Sequence, residues 1–278
     1  MPELPEVENT RRHLAPAMTG RTFARVEVTH PRTARHNGGD PSIVESRLVG
    51  RLVTGIARHG KFLVAPLDAG FTMVAHLGMS GRFTVGDGTE AVLPHTHFRA
   101  WMDDGSVISF IDPRTFGFVA VFDEVELETT GLSRLGPDAW DGPPTVAELG
   151  AALQNRTAPI KALLLDQGPL AGLGNIYADE SLFLAGIDPR TPGGGVDDAA
   201  LERLLGAVHD VLQVAIDNGG TSLDDLAYLL PDGRAGENLG QLKVYGRDGE
   251  PCYVCGEIID KVVIRARSTH FCPECQRG

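Results

Sequence analysis

Two Cys-x2-Cys pairs, Cys252 with Cys255 and Cys272 with Cys275, stand sixteen residues apart and constrain the end of this chain more tightly than any other feature. Each pair can set two thiolates on one turn, and two pairs complete a tetrahedral four-sulfur site. They are the only cysteines in the sequence. Two disulfides, or a redox pair with a spare pair, are the alternatives. Nothing marks the chain as secreted, however, and no thioredoxin-like unit surrounds the pairs. A closed four-thiolate site leaves no open coordination position, so one Zn2+ here is expected to hold shape and not to catalyse.

Between the pairs runs Lys261-Val-Val-Ile-Arg265-Ala-Arg267-Ser-Thr-His270-Phe271, which reads as a β-hairpin with alternating apolar and basic positions. A hairpin clamped by zinc can present guanidinium forks to phosphate. A merely solvated strand face fits the segment equally well.

The rest of the chain is long enough, at 278 residues, for a proper core and roughly two domains. Hydrophobic content of 42% and charged content of 22% suit a soluble globular protein. No apolar run approaches the ~18 residues that span a bilayer, and Met1-Pro-Glu-Leu-Pro-Glu6 is too acidic for a signal peptide. Cytoplasmic residence is the expectation. The net charge of −12 argues at first against a polyanionic partner. Its distribution weakens the objection: residues 1–60 carry +3, residues 61–230 carry −15, and residues 231–278 are neutral.

The pattern predicts a helix from Pro5 to Gly20, with Glu6 and Glu8 favouring its positive end and Val7, Leu14 and Met18 forming its apolar stripe. Short alternating runs follow to about Phe122, including Phe23–Val28, Phe62–Ala65, Phe98–Met102 and Val107–Ile111, and suggest a β-sandwich or barrel. After Thr130–Pro144, a capping-box pattern at Thr145-Val-Ala-Glu148 opens a helical half. Further helices are expected at Pro159–Leu165, Asn175–Leu184 and Ala199–Asp217, and a flexible loop at Gly233–Gly240. The domains expected are residues 1–132, 133–236 and 237–278.

Several segments carry candidate chemistry. Removal of Met1 would leave Pro2 as a terminal secondary amine, whose reference pKa near 8 keeps an appreciable fraction neutral and nucleophilic. Such an amine can attack an anomeric carbon and form an iminium, with Glu3 beside it as general acid. An ordinary helix start is the plainer reading of Pro2-Glu3. His59-Gly-Lys61 puts a lysine at a strand end near a tight turn. His76-Leu-Gly-Met79-Ser-Gly81 displays a methionine between glycines, and Asp112-Pro-Arg114-Thr-Phe116-Gly117 displays an arginine and a phenylalanine. An apolar wedge plus arginine is what entry into a base stack requires, whereas core filling is the ordinary use of Met79 and Phe116. Gly172-Leu-Gly174-Asn175 opens a helix whose exposed amides can seat a phosphate or simply take a cap.

Together these segments resemble the formamidopyrimidine-DNA glycosylase family. The resemblance rests on Pro2-Glu-Leu-Pro-Glu-Val-Glu8, His59-Gly-Lys61, His76–Gly81, Asp112–Gly117, Gly172–Ala178, Val244-Tyr-Gly-Arg247 and Arg267–Cys275, and runs the length of the chain. It implies an α+β multidomain fold: an N-terminal β-sandwich with a leading helix, a helix–two-turn–helix domain and a C-terminal zinc-ribbon hairpin, with DNA in the cleft between the halves. It implies removal of oxidised purines from double-stranded DNA, and cleavage at abasic sites, by a monomer with one structural Zn2+. Pro2 is then the nucleophile, Glu3 the assisting acid, Glu6 an ordering carboxylate and Lys61 the lysine near the scissile phosphates. His76, Asn175, Tyr245 and Arg267 match phosphate-gripping positions. Met79, Arg114 and Phe116 match the residues that fill the vacated stack. Residues 232–239 match a base-covering loop, but Glu237-Asn-Leu239 stands where relatives often carry an aromatic. The sister branch acting on oxidised pyrimidines, and a non-catalytic damage-binding protein of the same fold, are the alternatives.

Overall fold

The computed structural model describes residues 2–223 and 228–277. Met1, whose removal would free the Pro2 amine, lies outside them. The chain divides into two compact units, Met1–Ser133 with Asn218–Glu237, and Arg134–Asp217 with Asn238–Gly278. Residues 218–237 thus cluster with the first unit, whereas the sequence pattern places 218–236 in the helical domain and 237 in the zinc module. Polar contacts tie them there: the Glu6 carboxylate accepts the Thr221 amide at 2.8 Å, and the Tyr228 hydroxyl donates to the Glu6 carbonyl at 3.3 Å.

In the first unit, helix α1 (Leu4–Met18) starts one residue before the expected proline, with Glu3 as its N-cap. A capping box forms between Glu3 and Glu6, satisfying two of the amides a helix start leaves without partners. Eight strands follow: β1 (Phe23–Val28), β2 (Ala57–His59), β3 (Phe62–Pro66), β4 (Phe71–His76), β5 (Arg82–Gly86), β6 (Thr96–Met102), β7 (Val107–Ile111) and β8 (Phe118–Asp123). They build two antiparallel sheets, ordered β1-β6-β7-β5 and β2-β3-β4-β8. Helix α2 (Pro41–Leu48), which the alternating pattern did not announce, packs against β1 and β8. A short helix, α3 (Glu124–Glu128), packs against β4 and β8.

Period-two alternation turns one face of each sheet inward. Phe23, Phe98, Phe110 and Ile108 from one sheet meet Leu63, Met73, Val119 and Val121 from the other, and Val7, Leu14 and Met18 of α1 join the same core. Each such buried aromatic or aliphatic side chain contributes about 1.5–3 kcal/mol of apolar transfer.

The second unit is helical: α4 (Val146–Leu153), α5 (Ile160–Leu164), α6 (Asn175–Ala185) and α7 (Asp198–Asp217), followed by the hairpin β9 (Asp260–Ile264) and β10 (Arg267–Phe271). Thr145 caps α4 through the expected box with Glu148. In α7 the buried positions Leu201, Leu204, Val208, Leu212 and Ala215 recur at helical spacing and face α4 and α6. The loop expected at Gly233–Gly240 is partly ordered as a 3-10 turn at Asn238–Gln241.

Candidate active site and nucleic-acid interface

In the first unit the chemistry-bearing residues hang on α1, one hairpin turn and two loops. Glu6 is the hinge pin. One of its carboxylate oxygens accepts the Glu3 amide at 2.7 Å and the other the Thr221 amide at 2.8 Å, in a site almost fully buried. Gly220, at φ +86°, lies so close that an added Cβ would stand 2.8 Å from the Glu6 carboxylate. Pro2 and Glu3 are both buried beside this capped helix start.

Gly60 and Lys61 form the two-residue turn between β2 and β3, closed by the His59–Phe62 pair. Gly60 adopts φ +55°, as the first central residue of a tight hairpin requires. His76 ends β4 opposite Phe62 and Phe118 and lies against both rings. Its Nδ1 accepts the Gly78 amide at 2.9 Å, which leaves Nε2 to carry the proton. Burial first, and then the charges of Lys61, Arg35 and His36, bring its pKa down to about 4. The ring is therefore a neutral hydrogen-bond donor at physiological pH.

Two glycine-bearing loops then bring Met79, Arg114 and Phe116 into one neighbourhood. The buried Asp112 accepts the Ser80 hydroxyl at 2.7 Å and the Gly117 amide at 2.6 Å. A Cβ on Gly78 would fall 2.4 Å from the Gly117 nitrogen, so only glycine permits this approach. Arg114 and Phe116 are exposed, with the Arg114 guanidinium 4.9 Å and that of Arg32 5.7 Å from the Phe116 ring. Arg35 anchors the loop from below by donating to the Phe116 and Gly117 carbonyls.

In the second unit, Gln167 folds the glycine turn ahead of α6: its side chain accepts from the Gly172 amide at 3.0 Å and donates to the Leu173 carbonyl at 2.8 Å. Asn175 opens α6, and its buried Oδ1 finds no donor among the described residues. The buried Glu180 accepts the amides of Lys243, Val244 and Tyr245 at 2.8–2.9 Å and so fixes the backbone under Tyr245. Burial raises its pKa despite those three donors. Next to it on α6, Asp179 binds Lys161 at 2.7 Å and the His270 amide at 3.0 Å, all fully or nearly buried. Lys161 in turn donates to the Ser268 carbonyl and the Thr269 hydroxyl of β10. Arg267 is exposed at the start of β10. The turn before it, Arg265-Ala266, holds two non-glycine residues at φ +46° and +58°.

The four cysteine sulfurs lie within 4.8 Å of one another, with Cys252–Cys275 at 3.9 Å and Cys255–Cys272 at 3.4 Å. Disulfides need ~2.05 Å, so the bridged alternative fails. Tetrahedral zinc at ~2.3 Å from each sulfur places the sulfurs roughly 3.8 Å apart, which fits. Backbone amides of Val254 and Cys275 point at the Cys252 and Cys272 sulfurs, as thiolates favour.

Family models match three stretches: a formamidopyrimidine-DNA glycosylase N-terminal domain over residues 1–119, the H2TH domain of the same enzymes over 135–226, and a zinc finger found in FPG and IleRS over 249–278. The chain is 44% identical to the formamidopyrimidine-DNA glycosylase of Rhizorhabdus wittichii over the whole of both chains. The chain belongs to the formamidopyrimidine-DNA glycosylase family. Among solved structures, the MutM (FPG) protein of Thermus thermophilus matches with a TM-score of 0.86 at 38% identity, covering 99% of this chain and 98% of that one. A Lactococcus lactis FPG mutant in complex with Fapy-dG-containing DNA matches with a TM-score of 0.89 at 32% identity over all of both chains.

The glycosylase fold expected from the resemblance is the fold observed, and its four cysteines hold one structural zinc. Sequence reasoning missed the buried charges that set these positions: Glu8, Arg58, Lys161, Asp179 and Glu180. Their signal was faint but present, since Asp179 and Glu180 are the only charged residues in α6 and Lys161 sits among Ile160, Ala162 and Leu163. Charged residues at core positions of a helix need buried partners.

Proposed function

We propose that this chain is a bifunctional DNA glycosylase and AP lyase that removes oxidised purines from double-stranded DNA. The observation that carries the reading is the N-terminal Pro2-Glu3 pair, buried at a helix start whose geometry Glu6 locks from both carboxylate oxygens. The helix dipole disfavours positive charge there and keeps the Pro2 amine nucleophilic.

In this mechanism the Pro2 nitrogen bonds to the sugar C1′ as the base departs with its electron pair and gains a proton. Glu3 protonates the ring oxygen as the sugar opens, leaving an iminium. The iminium acidifies the C2′ proton, and successive β- and δ-eliminations expel the two flanking phosphates. Lys61 at its turn faces the phosphates, and His76 donates Nε2–H to one of them. Asn175, Tyr245 and Arg267 bind further phosphates. Met79 and Phe116 replace the extruded nucleotide, and Arg114 pairs with the orphaned base. The zinc site supplies shape and no reacting group. Residues 1–133 with 218–237 form the reacting module, 134–217 the helix–two-turn–helix module and 238–278 the zinc module. No helix among the described residues is long and apolar enough to cross a membrane, and we place the activity in the bacterial cytoplasm, at the nucleoid.

Borohydride trapping on duplex DNA carrying 8-oxoguanine opposite cytosine tests the reading, with the protein's N-terminus verified by mass. A covalent adduct that disappears in Pro2→Gly is expected. No adduct from protein with a free Pro2 would overturn the purine assignment, and parallel traps on oxidised pyrimidine and abasic DNA would show whether the chemistry or only the lesion was wrong.

A further inference from the structure

We propose that Arg58, held by Glu8, is a positioning residue for Lys61; the inference rests on the role assigned to Lys61 above. Glu8 is buried on α1, and its carboxylate gathers three guanidinia. Arg11 binds it through two nitrogens at 2.8 and 2.9 Å, Arg12 at 2.9 Å and Arg58 at 3.4 Å. Burial alone would raise the Glu8 pKa, but the bonds from Arg11 and Arg12 and the charge of Arg58 bring it below its ordinary value. The carboxylate is thus ionised and available as an anchor.

The Arg58 side chain is 2% exposed, so Glu8 compensates a charge held in the interior. Its second bond is the informative one. Nη1 donates to the Gly60 carbonyl at 3.0 Å. That oxygen belongs to the peptide group joined directly to the Lys61 nitrogen. Fixing the plane of this peptide fixes the direction in which Lys61 leaves the backbone, at a turn that is only two residues long. At the other end of the same three-residue strand, Arg11 donates to the Ile56 carbonyl at 3.4 Å. Glu8 therefore ties both ends of β2 to the helix whose first turn carries Pro2 and Glu3. A planar guanidinium spans carboxylate and carbonyl at a set angle, which an ammonium does not reproduce.

A double-mutant cycle tests this, using single-turnover excision of 8-oxoguanine from duplex DNA by zinc-loaded enzyme. Arg58→Lys should lower the rate about tenfold while affinity for duplex carrying a stable abasic analogue stays within twofold. The double variant R58K/K61Q should be no slower than K61Q alone, because Arg58 acts through Lys61. Losses that multiply, or R58K at the wild-type rate, would overturn the proposal and leave Arg58 a purely structural residue. If R58K fails to fold, Glu8→Gln keeps the shape, releases the anchor and completes the same cycle, with non-additive losses supporting the proposal and multiplying losses overturning it. A wild-type rate for K61Q would remove Lys61 from the chemistry and this proposal with it. Loss of the wild-type borohydride adduct would instead fault the glycosylase reading itself.

Discussion

The two units solve one problem, holding a few polar groups in fixed positions, by different means. The first leans on a large two-sheet core and on carboxylates that reach backbone or arginine, Glu6, Glu8 and Asp112. The hairpin end of the second has a small core around Val244, Cys252, Ile259 and Cys272, and relies on zinc and on the adjacent acids Asp179 and Glu180. Where apolar area is plentiful, buried charge only orients; where it is scarce, metal and ion pairs also carry stability.

Zinc removal should separate the units most sharply. Structural zinc contributes on the order of 10 kcal/mol in small domains, so chelation should abolish hydrogen-exchange protection of β9 and β10 and leave that of β3 and β4 intact. Equal loss in both would erase the contrast. The next largest effect is expected from Lys161→Met, which strands Asp179 in the interior at a cost of about 3–5 kcal/mol, read by denaturant unfolding. A change below about 1 kcal/mol would mean that water reaches Asp179.

Two titrations should run in opposite directions. His76 has a folded pKa near 4 against an ordinary 6.5, so the unfolded chain binds the extra proton between those values. Stability should fall as pH drops from 6.5 to 4, by roughly 1–3 kcal/mol, and His76→Gln should remove that slope. Glu180 is shifted upward. Here the folded state holds the extra proton, so stability should fall as pH rises above 4.5. Glu180→Gln, followed by the same unfolding series, should flatten that limb. A common sign for both residues would refute the different environments assigned to them.

The sandwich, the main helices and the metal site were legible because each rests on a local pattern: alternation, helical periodicity or fixed cysteine spacing. Strands β4 and β8 hid inside nearly continuous apolar runs, Phe71–Ala75 and Phe118–Phe122, where no alternation marks a sheet buried on both faces. Helix α2 escaped because its apolar stripe is only Val44 and Leu48. In the site, Pro2, Lys61 and Arg114 stood out through neighbouring glycines and prolines. Their supports did not: Thr221 lies 215 residues from the Glu6 it meets, and Asn37 is 84 residues from the Val121 backbone it bonds. Such pairings are properties of tertiary proximity, and no window of sequence contains them.

The Arg265-Ala266 turn points beyond repair chemistry to how such a hairpin can evolve. Asn-Gly would suit those left-handed positions better, because glycine lacks the Cβ and asparagine is tolerated there, whereas other L residues cost roughly 1–2 kcal/mol. That exchange would erase a cation at the hairpin tip, separated from Arg267 only by Ala266. The zinc below the tip makes the strained alternative tolerable, so the metal widens the set of residues selection can place at the end of the hairpin.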